Sequence, residues 1–215
     1  MSRETDVGPG LRADPDVVLG YLPSRPVDRR LVLGRDAHLR SGTILYLGSS
    51  IGERFETGHH VVVREECQIG NDVSVWTGSV IDYGCRIGDS AKIHCNCYVA
   101  QYTEIGAGAF LAPGVTTAND LYPGNAASGR MMSGPCIGPG AHVGVNVTIL
   151  PFVRIGAGAL IGAGATVTRD VPERCVAFGN PAVVRGSVEE LAPIEGRVLA
   201  DRESAARYRL ARDTA

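Results

Sequence analysis

Aliphatic residues recur at every sixth position over most of this chain. From Leu33 the frame runs through Leu39, Leu45, Ile51, Thr57, Val63, Ile69, Val75, Ile81, Ile87, Ile93, Val99, Ile105, Leu111 and Thr117, broken only by the two threonines. It resumes at Ile137, Val143, Ile149, Ile155, Ile161 and Val167. Glycine often follows the aliphatic residue, as at 34, 52, 70, 88, 106, 138, 144, 156 and 162, and small residues mostly hold the fifth position. A helix repeats near 3.6 residues and a half-buried strand near 2, so neither explains the pattern. A fixed period of six marks a stack of repeats.

The physical solution is an all-β, prism-like parallel β-helix. Each hexad supplies one short strand and a turn, three hexads complete a coil, and residues eighteen apart lie above one another at about 4.8 Å. The repeats predict about seven coils over 33–172. Residues 1–32, with Pro9, Pro15, Pro23 and Pro26, read as an irregular lead-in in which VVLGYL (17–22) forms a short strand or lid. A Gly- and Pro-rich loop, 123–136, interrupts the frame and projects from it, which is where function concentrates on a regular scaffold. Residues 173–215 read as a closing turn, VAFGNPAVVRG, followed by a short helical tail in SVEELAPI and DRESAARYRLAR.

Composition narrows the function classes. The formal net charge is −2, which gives no electrostatic footprint for nucleic acid or a membrane surface. No apolar run approaches the roughly 18 residues of a membrane span, and MSRETDVGPGLRADPD is no signal peptide, so the expected location is cytoplasmic. Cys67, Cys85 and Cys97 share the fifth hexad position and read as small core side chains. Cys95 and Cys97 have no second pair at zinc spacing, so no metal is expected.

Three groups carry candidate chemistry. His94 follows the inward Ile93 in a slot mostly held by glycine, so it belongs at a corner, where an imidazole can accept a proton. Tyr83, Gln101 and Asn119 are spaced by eighteen and predict an external polar column that can hydrogen-bond a sugar. Asp120 and Tyr122 follow it, with Asp120 able to hold an ammonium or simply to make an Asx turn. The last coils, with Gly144, Asn146, Gly162 and Ala163, would let a slender ligand approach the backbone, and Arg169 or Arg185 could meet a phosphate.

The repeat resembles that of the hexapeptide-repeat acyltransferases. That resemblance implies a left-handed helix, a homotrimer with active sites between subunits, and acyl-CoA lying between neighbouring prisms. TTANDLYPG followed by a loop and the SGPCIGPGAHVGVNVTILPFVRIGAGALIGAGATVTRDVPERCVAFGNPA run resembles nucleotide-linked 3-amino-sugar N-acetyltransferases in particular. It implies acetyl transfer from acetyl-CoA to the C3 amine of a dTDP- or UDP-linked sugar. The family's Asn-Asp pair then maps to Asn119 and Asp120, and its histidine to His94. Lys92 and His94 keep part of the family pattern, whereas Cys95 stands where a second histidine is usual. Two rivals remain: an O-acetyltransferase with His94 as general base, and a non-catalytic β-helix assembly module. A γ-class carbonic anhydrase would need an H-x4-H pair, and position 99 is Val.

Overall fold

The computed structural model describes residues 4–191 and is a left-handed parallel β-helix with three flat faces. The first face has eight strands, from Glu4–Val7 to Arg154–Ile155. The second has ten, from Arg12–Ala13 to Ala182–Ser187. The third has eight, from Val18–Tyr21 to Thr166–Val167. Within the repeats, neighbouring strands on a face pair in parallel at a separation of eighteen residues, as in Gln68 with Arg86 and Val80 with Tyr98. Each strand is short because every hexad must also turn a corner.

The inward ladder is the aliphatic frame itself. Leu33, Leu39, Leu45, Ile81, Ile93, Leu111 and Ile149 are all fully buried, and each such side chain contributes about 1.5–3 kcal/mol of burial. Cys67, Cys85 and Cys97 lie in the same core as unbonded thiols. The two exceptions to the aliphatic rule are also buried and satisfied internally. Thr57 Oγ1 meets Thr43 Oγ1 at 2.9 Å and accepts from the Arg40 amide at 3.0 Å. Thr117 Oγ1 accepts from the Ala100 amide at 2.7 Å and meets Thr103 Oγ1 at 3.3 Å. Their role is structural, since a buried hydroxyl needs a partner and here finds one.

The lead-in departs from expectation, except that VVLGYL does form a short strand, Val18–Tyr21. Residues 4–21 are a coil of the prism, built from β1 (Glu4–Val7), β2 (Arg12–Ala13) and β3 (Val18–Tyr21). Val7 pairs with Leu33, Ala13 with Leu39 and Leu19 with Leu45, a separation of 26 residues in place of 18. The period is therefore present but out of phase, because residues 22–29 loop out between the third face and the first. The second phase break has the same form. Phe110 pairs with His142 at a separation of 32, so the segment between Thr117 and Cys136 also leaves the third face and returns to the first. Both excursions depart from one corner of the triangle.

The far end closes with strand Cys175–Gly179 on the second face and its antiparallel partner Ala182–Ser187. They turn through the cis Asn180–Pro181 bond. A 3-10 helix, Val188–Glu190, follows with a capping box on Ser187, in the SVEELAPI segment read as a short helix. The proposed helix in DRESAARYRLAR lies outside the described residues.

Candidate functional site

Position along the hexad decides which corner a side chain decorates. His94 directly follows the second-face strand Lys92–Ile93, whereas Asn119 and Asp120 follow the third-face strand Thr116–Thr117. The chemistry-bearing residues thus fall on two different corners, and one chain does not bring His94 together with the Asn-Asp pair.

On the second corner, His94 is half-buried in an aromatic row. Its ring lies 6.3 Å from Trp76 and 6.1 Å from Phe110, and Phe110 stacks on His142 at 6.1 Å. His94 Nδ1 is buried without a hydrogen-bond partner. An imidazole that is to take a proton at Nε2 needs Nδ1–H directed at an acceptor, and no described residue supplies one. Above His94 the same corner carries Ala112, Gly144 and Gly162, then Phe178 with Arg185 stacked 5.7 Å from its ring. A Cβ on Gly162 would sit 2.7 Å from Phe178 Cβ, so the corner has no room for a larger residue. Asn146 and Ala163 lie exposed on the outward turns of this corner. The amides of Cys95, Val145 and Ala163 point away from the ladder and make no hydrogen bond within the described residues. Arg169 follows the last third-face strand and lies on the other corner, apart from Arg185.

The third corner holds the polar column, with a different membership from the one spacing predicted. Asn119 Nδ2 donates to Gln101 Oε1, and Gln101 Nε2 donates to Asp82 Oδ2 at 2.6 Å. Asp82 is nearly fully buried and also accepts from Tyr98 Oη at 2.7 Å, the Tyr83 amide at 2.8 Å and Arg64 Nη1 at 3.4 Å. Burial, and then the bond to Asp82, push the Tyr98 hydroxyl up to about 12. Tyr83 is not part of this chain. Its ring meets Tyr102 edge-on at 5.4 Å, and the Arg25 guanidinium lies 3.8 Å above it. Burial is the largest cause holding the Tyr83 hydroxyl above its ordinary value, reinforced by Tyr102.

Below Tyr83 the column continues into Glu65, whose side chain is fully buried. It accepts from Arg25 Nε at 2.7 Å and from Arg64 Nε and Nη2 at 2.8 and 2.9 Å. Burial alone would raise its carboxyl, but the Arg64 and Arg25 guanidiniums outweigh that and hold it below the usual range. Sequence spacing contained this signal, because Glu65 precedes Tyr83 by the same eighteen residues. Asp82 directly follows the frame residue Ile81, as His94 follows Ile93, in the slot where glycine is the commonest residue along the chain.

The two excursions border this column. Residues 22–29 bring Arg25 onto its lower end, where it pairs with Glu65 and Glu66. At the upper end, Asp120 Oδ1 accepts from the Tyr122 amide at 2.8 Å and so forms the Asx turn that starts the longer excursion. The Asn119 carbonyl accepts from the Ser133 amide at 3.0 Å and anchors the return. Asp120, Leu121, Tyr122, Ser128, Met131 and Phe152 enclose a small, mostly apolar cavity of about 190 Å³. Tyr122 itself is largely exposed. No helix among the described residues is long and apolar enough to cross a membrane.

Residues 84–119 and 137–169 match the family model described as bacterial transferase hexapeptide (six repeats). Among curated proteins, the bifunctional protein GlmU of Trichlorobacter lovleyi is 32% identical over 115 residues, covering 46% of this chain and 25% of that protein. The chain thus spans about a quarter of that relative's length. Similar solved structures include the Arabidopsis UDP-N-acetylglucosamine acyltransferase, with a TM-score of 0.49 and 16% identity over 84% of this chain and 74% of that one. PerB from Caulobacter crescentus, in complex with CoA and GDP-perosamine, gives a TM-score of 0.33 and 25% identity over 64% and 57%. The Neisseria gonorrhoeae serine acetyltransferase gives 0.37 and 29% over 54% and 41%.

Proposed function

We propose that this hexapeptide-repeat protein is an acyltransferase that moves an acetyl group from acetyl-CoA to the amine of a nucleotide-linked amino sugar. The observation that carries the reading is the third corner. A buried carboxylate, two amides and a tyrosine are joined in one hydrogen-bonded column, bordered by two excursions, on a scaffold of transferase-type repeats. A plain assembly module would have no need for a buried carboxylate at the foot of a half-buried polar chain, because each buried polar group must find a partner or cost stability.

The second corner suits the donor. Its small residues, its outward amides at 95, 145 and 163, and Arg185 at its end offer an arm-shaped thioester close backbone approach, N–H donors and a cation. Donor and acceptor corners belong to different edges of the prism, so the active site requires a second copy of the chain. A homotrimer that sets one corner beside the other corner of a neighbour satisfies this. A solenoid with flat faces also gains by packing them against copies of itself.

The chemistry is direct attack. The sugar nitrogen forms a bond to the thioester carbonyl carbon, the C–S bond breaks, the thiolate leaves as CoA, and the amine loses one proton. An amine beside electronegative groups has a pKa near the α-amino value of about 8. Roughly a tenth is then neutral at pH 7, and deprotonation costs only about 1.4 kcal/mol. No strong base is required, which agrees with a His94 that lacks an acceptor at Nδ1. Positioning by Asn119 and a backbone amide on the oxyanion supply the rate.

The test is mass spectrometry of purified protein with acetyl-CoA and a panel of dTDP- and UDP-linked amino sugars. Gain of one acetyl group on an amine with release of CoA is the expected outcome. Under those conditions His94→Ala keeps measurable turnover, within about a hundredfold, while Asn119→Ala loses more. Acetylation of hydroxyl acceptors only, with His94→Ala inactive but folded, would replace the amine reading by an O-acetyltransferase with a histidine base.

A further inference from the structure

The hydrogen-bond directions on the third corner are fixed by chemistry. Asp82 is surrounded by donors: the Tyr83 amide, Arg64 Nη1, Tyr98 Oη and Gln101 Nε2. A carboxylate only accepts, so Gln101 must turn its NH2 toward Asp82 and its carbonyl oxygen outward. That oxygen can then only accept, so Asn119 must turn its own NH2 toward Gln101. The consequence falls on the last atom of the chain. Asn119 Oδ1 has no partner among the described residues, and it lies where the longer excursion begins.

We propose that Asp82 is a positioning residue that polarises the Gln101–Asn119 pair, so that Asn119 presents a hydrogen-bond acceptor and the site recognises a hydrogen-bond donor, such as an amine N–H, on the acceptor substrate. The proposal rests on the acyltransferase reading and adds to it a residue and a direction. A free asparagine could present either its oxygen or its NH2 by a half-turn of the amide. Here the half-turn would place NH2 against NH2, or oxygen against carboxylate, in a half-buried place. An amine or ammonium donates to the fixed oxygen, and a group that offers only lone pairs is turned away because it would leave both oxygens unpaired. Arg64 and Tyr98 keep Asp82 itself from rotating, which is why both belong to the device although neither is near Asn119 in sequence.

Two variants test this without relying on loss of fold. Asp82→Asn removes the obligation on Gln101, because the new amide can present either NH2 or oxygen. Asp82→Asn with Gln101→Glu moves the carboxylate one step up the column, where it again accepts from Asn119 Nδ2 and restores the direction. In 15N-labelled protein the side-chain NH2 signals of Gln101 and Asn119, assigned from Gln101→Ala and Asn119→Ala, should be slow to exchange. In Asp82→Asn both should become fast. In the double variant the Asn119 signal should recover. With the amino-sugar acceptor identified as above, KM for that acceptor should rise about tenfold in Asp82→Asn and should return in the double variant.

Unchanged amide exchange and unchanged KM in Asp82→Asn would overturn the proposal. So would a double variant, folded by circular dichroism, in which neither the Asn119 signal nor KM recovers. If no acceptor is acetylated at all, the acyltransferase reading fails while the exchange measurement still decides the direction of the column.

Discussion

Replacing Arg64 by methionine removes the cation that joins the two buried carboxylates of the third corner. Arg64 holds Glu65 with two bonds of 2.8 and 2.9 Å and reaches Asp82 at 3.4 Å. Glu65 is fully buried, whereas a third of Arg64 is exposed. Breaking a buried pair from one side costs about 3–5 kcal/mol, because the remaining charge is stranded. Arg25 still contacts Glu65 at 2.7 Å, and Arg64 is only partly desolvated, so the expected loss is about 2–3 kcal/mol. In the double variant Arg64→Met/Glu65→Gln the stranded charge is absent, and about 1 kcal/mol should return. Urea unfolding followed by circular dichroism at pH 7 measures both. The guanidiniums hold the Glu65 carboxyl below its ordinary value of 4.5, so this stabilisation is present above that value and is lost as pH falls through the lower, folded one. The gap between wild type and Arg64→Met should therefore narrow on acidification. A loss below about 0.5 kcal/mol at pH 7, or a gap that does not depend on pH, would refute the assignment of the network's strength to this pair.

Two further outcomes follow from the coil geometry. Gly88→Ala should destabilise by about 1–3 kcal/mol, since its Cβ would lie 2.5 Å from the Ala107 backbone nitrogen, which cannot move aside. Gly108→Ala has open space around it but a φ of +66°, so backbone strain alone should cost about 1–2 kcal/mol, and thermal unfolding ranks the two. Among the thiols, Cys67, Cys85 and Cys97 should resist a thiol reagent in the folded protein, while the half-buried Cys95 reacts. Burial pushes Cys97 up to about 11, and the contact with Cys67, together with burial, pushes Cys85 higher still. Labelling of Cys85 before unfolding, read by peptide mass mapping, would contradict the packing.

The stack was legible because its frame is a one-letter pattern: every strand from Arg30–Leu33 to Thr166–Val167 ends on a residue of the six-residue period, except Ile44–Tyr46, which runs one residue past Leu45. The first coil was hidden by the same logic. Val7, Ala13 and Leu19 keep the period, but an eight-residue insertion shifts them out of phase with Leu33. The polar column was half legible. Equal spacing found Gln101 and Asn119, yet it enlisted Tyr83, which the Arg25 cation and Tyr102 claim instead. Spacing identifies which residues share a corner and says nothing of which rotamer each adopts. Asp82 reaches the column from the neighbouring slot, and Arg25 arrives from a segment with no period, so neither relation follows from counting. The separation of His94 from Asn119 does follow from counting, since 93 and 117 fall on different faces of a three-hexad coil.

The placement of both excursions on one edge turns the prism into a ruler. Glu65, Tyr83, Gln101 and Asn119 mark successive rungs, so the interval between the Arg25 end and the Asn119 end is three steps of about 4.8 Å, or about 14 Å. Length along this edge comes in whole coils. Removing one repeat of eighteen residues would shorten the interval by a single rung and leave every other register intact, because each coil touches only its neighbours. The reach of the site is thus set by a count of repeats, and its end-pieces can be exchanged or resized without renegotiating the core beneath them.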